Sequence, residues 1–305
     1  MAETSRPAPP AGHIVFDRRR VRAQRDRAAA NYDAHDFLHR EIAERLLERL
    51  EEIKRRFPLA LDLGCRTGLV RRLLRGRGGI ETLIEMELAP AMLARAEGPC
   101  RLVADEELLP FREASLDLVI SVFALHWVND LPGALAQVRR ALKPDGLFLA
   151  AFPGGDTLIE LRGAWMEAEL ARHGGISPRV SPSAAVDDMP GLLQRAGFAL
   201  PVVDTDTITI TYADPLALMR ELRGMGETNA CIGRARGFTQ RGTLLGALEA
   251  YGSAHRTAEG RIGATVQTVY LTGWAPDASQ REPARRGSGT VSLARALDED
   301  DAISS

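Results

Sequence analysis

The order of its apolar runs constrains this chain more than any other feature. Residues 59–63 are a short apolar run that stops at Gly64, and helical spacing resumes over 69–74, which reads as strand, glycine turn, helix. Strand-like runs at 82–86, 101–104, 116–122 and 147–152 then alternate with helical stretches at 90–96 and 132–142. This rhythm predicts an α/β fold, a doubly wound Rossmann-like sheet that is mostly parallel. Ahead of it, Ile42, Leu46, Leu47, Leu50, Ile53 and Phe57 recur at three-and-four spacing, predicting an amphipathic helix over 42–57 that Pro58 ends. Lys143-Pro144-Asp145-Gly146 reads as a turn into the strand that follows.

Beyond Pro153 the rhythm changes. Helical patterns at 157–171 and 184–196 flank a Gly/Ser/Pro-rich loop at 173–183. Val203, Thr205, Thr207, Thr209 and Thr211 then alternate along a strand whose expected antiparallel partner is 264–273. The last strand is thus expected to run antiparallel, with an insertion over 212–263 that carries helical stretches at 215–222 and 242–251 and forms a lid at the sheet's carboxyl ends. The expected organisation is a flexible tail (1–12), an N-terminal helical segment (13–57), one domain (58–275) and a disordered polar tail (276–305) with the acidic run Asp298-Glu299-Asp300-Asp301.

With 45% hydrophobic and 26% charged residues, the 305-residue chain has the make-up of a globular protein, which excludes collagen-like, disordered and coiled-coil classes. A net charge of −2 argues against a dedicated nucleic-acid binder. No window approaches the roughly 20 apolar residues of a membrane-spanning helix. Cys65, Cys100 and Cys231 form no Cys-x-x-Cys, so no disulfide framework or structural zinc site is signalled, and a reducing cytoplasm is the expected location. Arg18, Arg19, Arg20, Arg22, Arg25 and Arg27, interrupted by Asp26, read as a solvated helix face rather than a targeting signal or an anionic contact surface.

The chemistry concentrates at the first turn, Leu61-Asp62-Leu63-Gly64-Cys65-Arg66-Thr67-Gly68. Its glycines allow close backbone approach to a ligand, but it is neither a Gly-x-Gly-x-x-Gly fingerprint nor a phosphate loop. Glu87, 19 positions beyond Gly68 at the end of the second strand, can accept hydrogen bonds from both hydroxyls of a ribose. Asp105 follows the third strand, where it can accept from an adenine amino group, with Glu106 as the alternative if the register slips by one. The bland reading leaves these acids solvated at strand ends.

In combination and order, these features resemble the class I S-adenosylmethionine-dependent methyltransferases. That resemblance places Asp62, Gly64, Cys65 and Gly68 against the methionine part of S-adenosylmethionine, Glu87 on its ribose, and Asp105 or Glu106 on its adenine side. The family usually has glycine where this chain has Arg66, whose side chain must turn away, obstruct the site or contact a carboxylate. Residues 57–65, 108–111, 125–132, 154–158, 224–227 and 286–292 further resemble the respiratory complex I assembly factor 5 family. A more distant resemblance, mainly through residue 150, is to the malonyl-carrier-protein methyltransferases of biotin synthesis. The stronger one implies a complex I assembly factor that modifies, by hydroxylation, an arginine of a peripheral-arm subunit.

Methyl transfer from a sulfonium demands positioning more than dedicated catalytic groups. A guanidinium substrate would want carboxylates, and Asp156, Glu160 and Glu227 are the candidates, against a helix cap for Asp156 and solvated faces for the glutamates. His126-Trp127 could stack a flat cation or merely cap the core. Hydroxylation needs an oxidant, and His39-Arg40-Glu41, the one iron-like spacing, lies in a surface-like helix, so no metal site is expected. The competing functions are an O-methyltransferase of a small acid or malonyl carrier protein, and a catalytically silent assembly chaperone.

Overall fold

The computed structural model describes residues 14–183, 185–280 and Ser288. The expected tail at 1–12 and most of the one at 276–305, acidic run included, lie outside them. The strands are β1 (Leu59–Leu63), β2 (Thr82–Glu87), β3 (Cys100–Val103), β4 (Leu116–Val122), β5 (Leu142–Pro153), β6 (Ala199–Tyr212) and β7 (Ile262–Trp274). They form one sheet in the order β3-β2-β1-β4-β5-β7-β6. The first five run parallel, and β7 runs antiparallel to both β5 and β6, as the strand patterns predicted.

The main helices are α1 (Arg18–Ala28), α2 (Phe37–Glu51), α3 (Leu69–Leu74), α4 (Pro90–Leu93), α5 (Leu131–Ala141), α6 (Ile159–His173), α7 (Met189–Arg195), α8 (Pro215–Gly224) and α9 (Arg241–Ala254). Their starts are chemically marked: Asp17, Asp130 and Asp214 each accept a hydrogen bond from the backbone N–H three residues on, satisfying a donor that the first turn leaves open. One apolar layer, with Ile42, Leu46 and Leu50 of α2, covers one face of the sheet, and another, with Leu135 and Val138 of α5 and Leu193 of α7, covers the other. Burial on both faces is what lets the central strands read as continuous apolar runs.

Three details depart from the sequence reading. The helix expected over 42–57 starts earlier and ends at Glu51. Ile53 and Phe57 keep helical spacing but are buried by a loop, in which the Phe57 amide donates to Gly78 O and Pro58 disfavours helix in the residue before it. The turn at 143–146 lies inside β5, as an irregularity between the pairs Leu116–Leu142 and Leu118–Leu147. The helix expected over 184–196 is a single 3₁₀ turn followed by α7, with Ala184 outside the described residues.

Candidate functional site

The parallel strands all end on one side of the sheet, so the segments that follow β1, β2, β3 and β4 meet there. Gly64 and Gly68 both have φ of +81°, and the amides of Gly64 and Cys65 donate to Met86 O, fixing the turn to β2. A methyl group on Gly64 would lie 2.2 Å from Ala124 Cβ, and one on Gly68 2.6 Å from Glu85 Oε1. Protein therefore lies against both glycines. Arg66, between them, is also left-handed at φ +54°, which costs a non-glycine residue about 1–2 kcal/mol.

Glu87 and Glu106 are fully buried, and the arginines that pair with them come from α1. Arg25 NH1 donates to Glu87 Oε1 at 3.0 Å and to Glu106 Oε1 at 2.9 Å. Arg18 donates to Asp105 Oδ1 at 2.6 Å and also to Glu106. The other Glu87 oxygen accepts the Arg66 amide at 3.1 Å. Burial raises the Glu106 pKa, but the attraction of Arg25 and Arg18 outweighs it and holds the carboxyl down at about 2. Asp62, also buried and facing Glu85 and Glu87, is pushed well above the carboxylate range, and burial likewise raises the Cys65 thiol. The sequence reading of α1 as a solvated face is corrected here: Arg19, Arg22 and Arg27 are exposed, whereas Arg25 is wholly buried and Arg18 nearly so.

A second cluster adjoins the first. The Arg66 side chain, 2% exposed, turns onto the Phe123 carbonyl at 2.8 Å and Glu227 Oε1 at 2.5 Å, the carboxylate contact anticipated for it. The other Glu227 oxygen meets His126 Nε2 at 2.9 Å and accepts from Trp127 Nε1 at 2.6 Å. Burial raises the Glu227 pKa, yet Arg66 and His126 reverse this and keep the carboxyl ionised far below its ordinary value. Burial lowers the His126 pKa despite Glu227, and brings His39 down to about 3. His39 is buried between Tyr32 and Phe123, while Glu41 is paired with Arg45 on the surface, so the two cannot share an iron. Among the described residues no cluster of His, Cys, Asp or Glu could hold a metal ion.

Phe123, His126, Trp127 and Glu227 line one wall of a cavity of about 260 Å³, whose other walls include Leu161 of α6 and Met219 of α8. The inserted segment between β6 and β7 thus contributes part of the cavity wall, through Met219, Leu222 and Met225. Trp165, Arg179, Thr228 and Asn229 join this cavity to an outer depression that also carries Arg20, Arg234 and Arg236, with Asp17 as its one acid. The balanced net charge of the whole chain concealed this basic mouth.

Of the catalytic candidates, the structure brings together Glu227, His126 and Trp127. It leaves Asp156 and Glu160 apart from them: Asp156 is exposed with only Gln267 nearby and caps no helix, and Glu160 is tied to the Thr265 amide and hydroxyl on β7. Sequence reasoning missed Arg18, Arg25 and Tyr32. Tyr32 OH, both His39 nitrogens, His126 Nδ1, and Nε with one further nitrogen of Arg25 and of Arg66 are buried without partners. Orphaned polar atoms are rare in protein interiors once ordered water is counted, and their grouping makes this the candidate ligand site. Glu87 and Asp105, at the ends of neighbouring strands, have the acceptor chemistry that a nucleoside requires, but Glu87 is buried under Arg25 and neither residue lines the cavity.

The methyltransferase domain family matches residues 61–150. Arginine-hydroxylase NDUFAF5, mitochondrial, from Homo sapiens is 44% identical over 285 residues, covering 92% of this chain and 82% of its own, and the Danio rerio protein of that name is 42% identical over 93% and 89%. A malonyl-[acyl-carrier protein] O-methyltransferase from Halorhodospira halophila is 40% identical, covering 85% of this chain and 88% of its own. Among solved structures, the YcgJ protein of Bacillus subtilis superposes with a TM-score of 0.54 at 16% identity, covering 76% of this chain and 98% of its own, which shows the fold alone. The chain is thus an enzyme of the S-adenosylmethionine-dependent methyltransferase superfamily, with S-adenosylmethionine as its cofactor. The cytoplasmic expectation is overturned, since the NDUFAF5 relatives are mitochondrial proteins. Cys65, Cys100 and Cys231 are free in the fold, which identifies no compartment.

Proposed function

This chain belongs to the methyltransferase family that includes the NDUFAF5 arginine hydroxylases and the malonyl-carrier-protein O-methyltransferases, and from that premise we propose that it is a complex I assembly factor that modifies an arginine of a peripheral-arm subunit. The observation that carries the choice of substrate is Arg66. Its guanidinium rests on Glu227 and the Phe123 carbonyl at the wall of the cavity, beside His126 and Trp127, so the site has the chemistry of a guanidinium receptor.

Asp62, Gly64, Cys65, Gly68, Glu87 and Asp105 or Glu106 are the residues that would hold the cofactor, which supplies an electrophilic methyl group when bound. Glu227 would orient the guanidinium, and His126, whose Nε2 meets Glu227 while Nδ1 has no partner, would take a proton as one leaves the substrate. Oxygen insertion, as the relatives' name states for them, requires an external oxidant.

Mass spectrometry of peripheral-arm peptides from cells with and without the gene tests the proposal. One arginine should lose an added oxygen, or an added methyl group, in the deletion. Unchanged arginines with depleted complex I would replace the enzyme reading by a chaperone, and unchanged arginines with normal complex I would end the assembly proposal. The basic mouth supports a second reading, a malonyl carrier protein, whose acidic surface and carboxylate would suit Arg20, Arg179, Arg234 and Arg236. Methyl transfer to purified malonyl carrier protein would establish that alternative.

A further inference from the structure

Both oxygens of Glu87 are engaged by the protein. Its Oε1 takes Arg25 and the Ala89 amide, and its Oε2 takes the Arg66 amide. Yet Arg25, wholly buried, uses only NH1, leaving Nε and NH2 without partners, and Arg66 leaves Nε and NH1 without partners. Guanidinium groups held for stability alone present several donors to carboxylates in a planar fork. Here two buried nitrogens of Arg25 are left over beside Glu87 and Glu106, which share its one engaged nitrogen, the pattern of a contact made to be exchanged.

The backbone of α1 is held by other means. Asp17 N donates to Ala230 O, Arg20 and Gln24 donate to Asn229 O, and the Ala91 amide donates to Asp26. Asn129 accepts from the amides of Val15 and Phe16. The helix therefore joins the segment just beyond Glu227 to the segment just beyond Trp127, and its Arg25 reaches across to Glu87.

We propose that Arg25 is a latch on the nucleoside acceptors: it competes with the ribose hydroxyls of S-adenosylmethionine for Glu87, so that cofactor binding displaces Arg25 and loosens α1. The proposal rests on the reading of Glu87 as the ribose acceptor. Because α1 also holds residues 229–231, displacement of Arg25 relaxes the cavity wall that carries Glu227. Cofactor binding is thereby coupled to admission of the substrate.

The test is calorimetric titration of the full chain with S-adenosylhomocysteine, wild type against Arg25→Met, together with hydrogen exchange of the wild type. The variant should bind at least tenfold more tightly, and the amides of Arg18–Ala28 should exchange faster in the wild type when ligand is present. Equal affinities, or α1 amides that slow on binding, would overturn the latch and leave the cofactor reading standing. Failure of both folded proteins to bind at millimolar ligand would overturn the cofactor reading, and the latch with it. Should Arg25→Met not fold, the direction of the exchange change in the wild type decides.

Discussion

Replacing Glu227 with glutamine removes one charge and almost no volume, which isolates the electrostatics of the Arg66 pair. Arg66 is 2% exposed and Glu227 11%, and across a 2.5 Å contact Glu227 is the one acid paired with the Arg66 side chain among the described residues. Removing one member of a buried pair strands the other charge and costs about 3–5 kcal/mol. At roughly 2 °C per kcal/mol for a chain of this size, the midpoint of thermal unfolding should fall by about 6–10 °C. The assay is differential scanning calorimetry at neutral pH. Adding Arg66→Met to Glu227→Gln should recover most of the loss, because the stranded charge is gone while the amide oxygen still accepts from Trp127 Nε1. A single variant within about 2 °C of the wild type, or a double variant no more stable than the single, would refute the reasoning.

Three further outcomes follow from burial. Asp62 titrates higher in the fold than its ordinary 3.8, so it lowers stability as pH rises beyond that value; Asp62→Asn should raise the melting temperature at pH 7 and have little effect near pH 4, and equal effects at both would contradict the assignment. His39, held neutral to about pH 3 against an ordinary 6.5, contributes stability that is complete above pH 6.5 and lost as pH falls toward 3; a plot of melting temperature against pH should be flatter in that window for His39→Leu, and parallel plots would count against it. Gly64→Ala adds a methyl group 2.2 Å from Ala124 Cβ at a positive φ and should cost about 2–4 kcal/mol in urea unfolding; a loss under about 1 kcal/mol would mean that the turn moves freely away from Ala124.

The sheet was legible because each central strand is an apolar run of strand length bounded by turn residues, and because the two last strands alternate or pair at their edges. The acids at strand ends were legible for the same reason, since their positions follow from where the strands stop. The arginines that meet those acids were not. Arg25 is 62 positions from Glu87 and 81 from Glu106, and a helix with arginines on every side shows nothing of which one the tertiary fold buries. Glu227 is 101 positions from His126 and 161 from Arg66, so its company was invisible although the residue itself had been singled out. His39 misled differently: its neighbours Arg40 and Glu41 are exposed, and the helical turn that carries all three buries only the histidine and Leu38.

The docking of α1 also sets an order of events during synthesis. Its nearest partners in sequence, Glu87 and Ala91, are made more than 60 residues later, and Asn229, which Arg20 grips, is made 209 residues later. At about 5–20 residues per second, a ribosome leaves this arginine-rich helix waiting for roughly 10–40 s. The first of the described helices is thus among the last to be seated, and until then Glu87 and Glu106 lack the arginines that pair with them. The N-terminal segment is seated from outside, once β1 to β6, which all precede Asn229 in the chain, have been made.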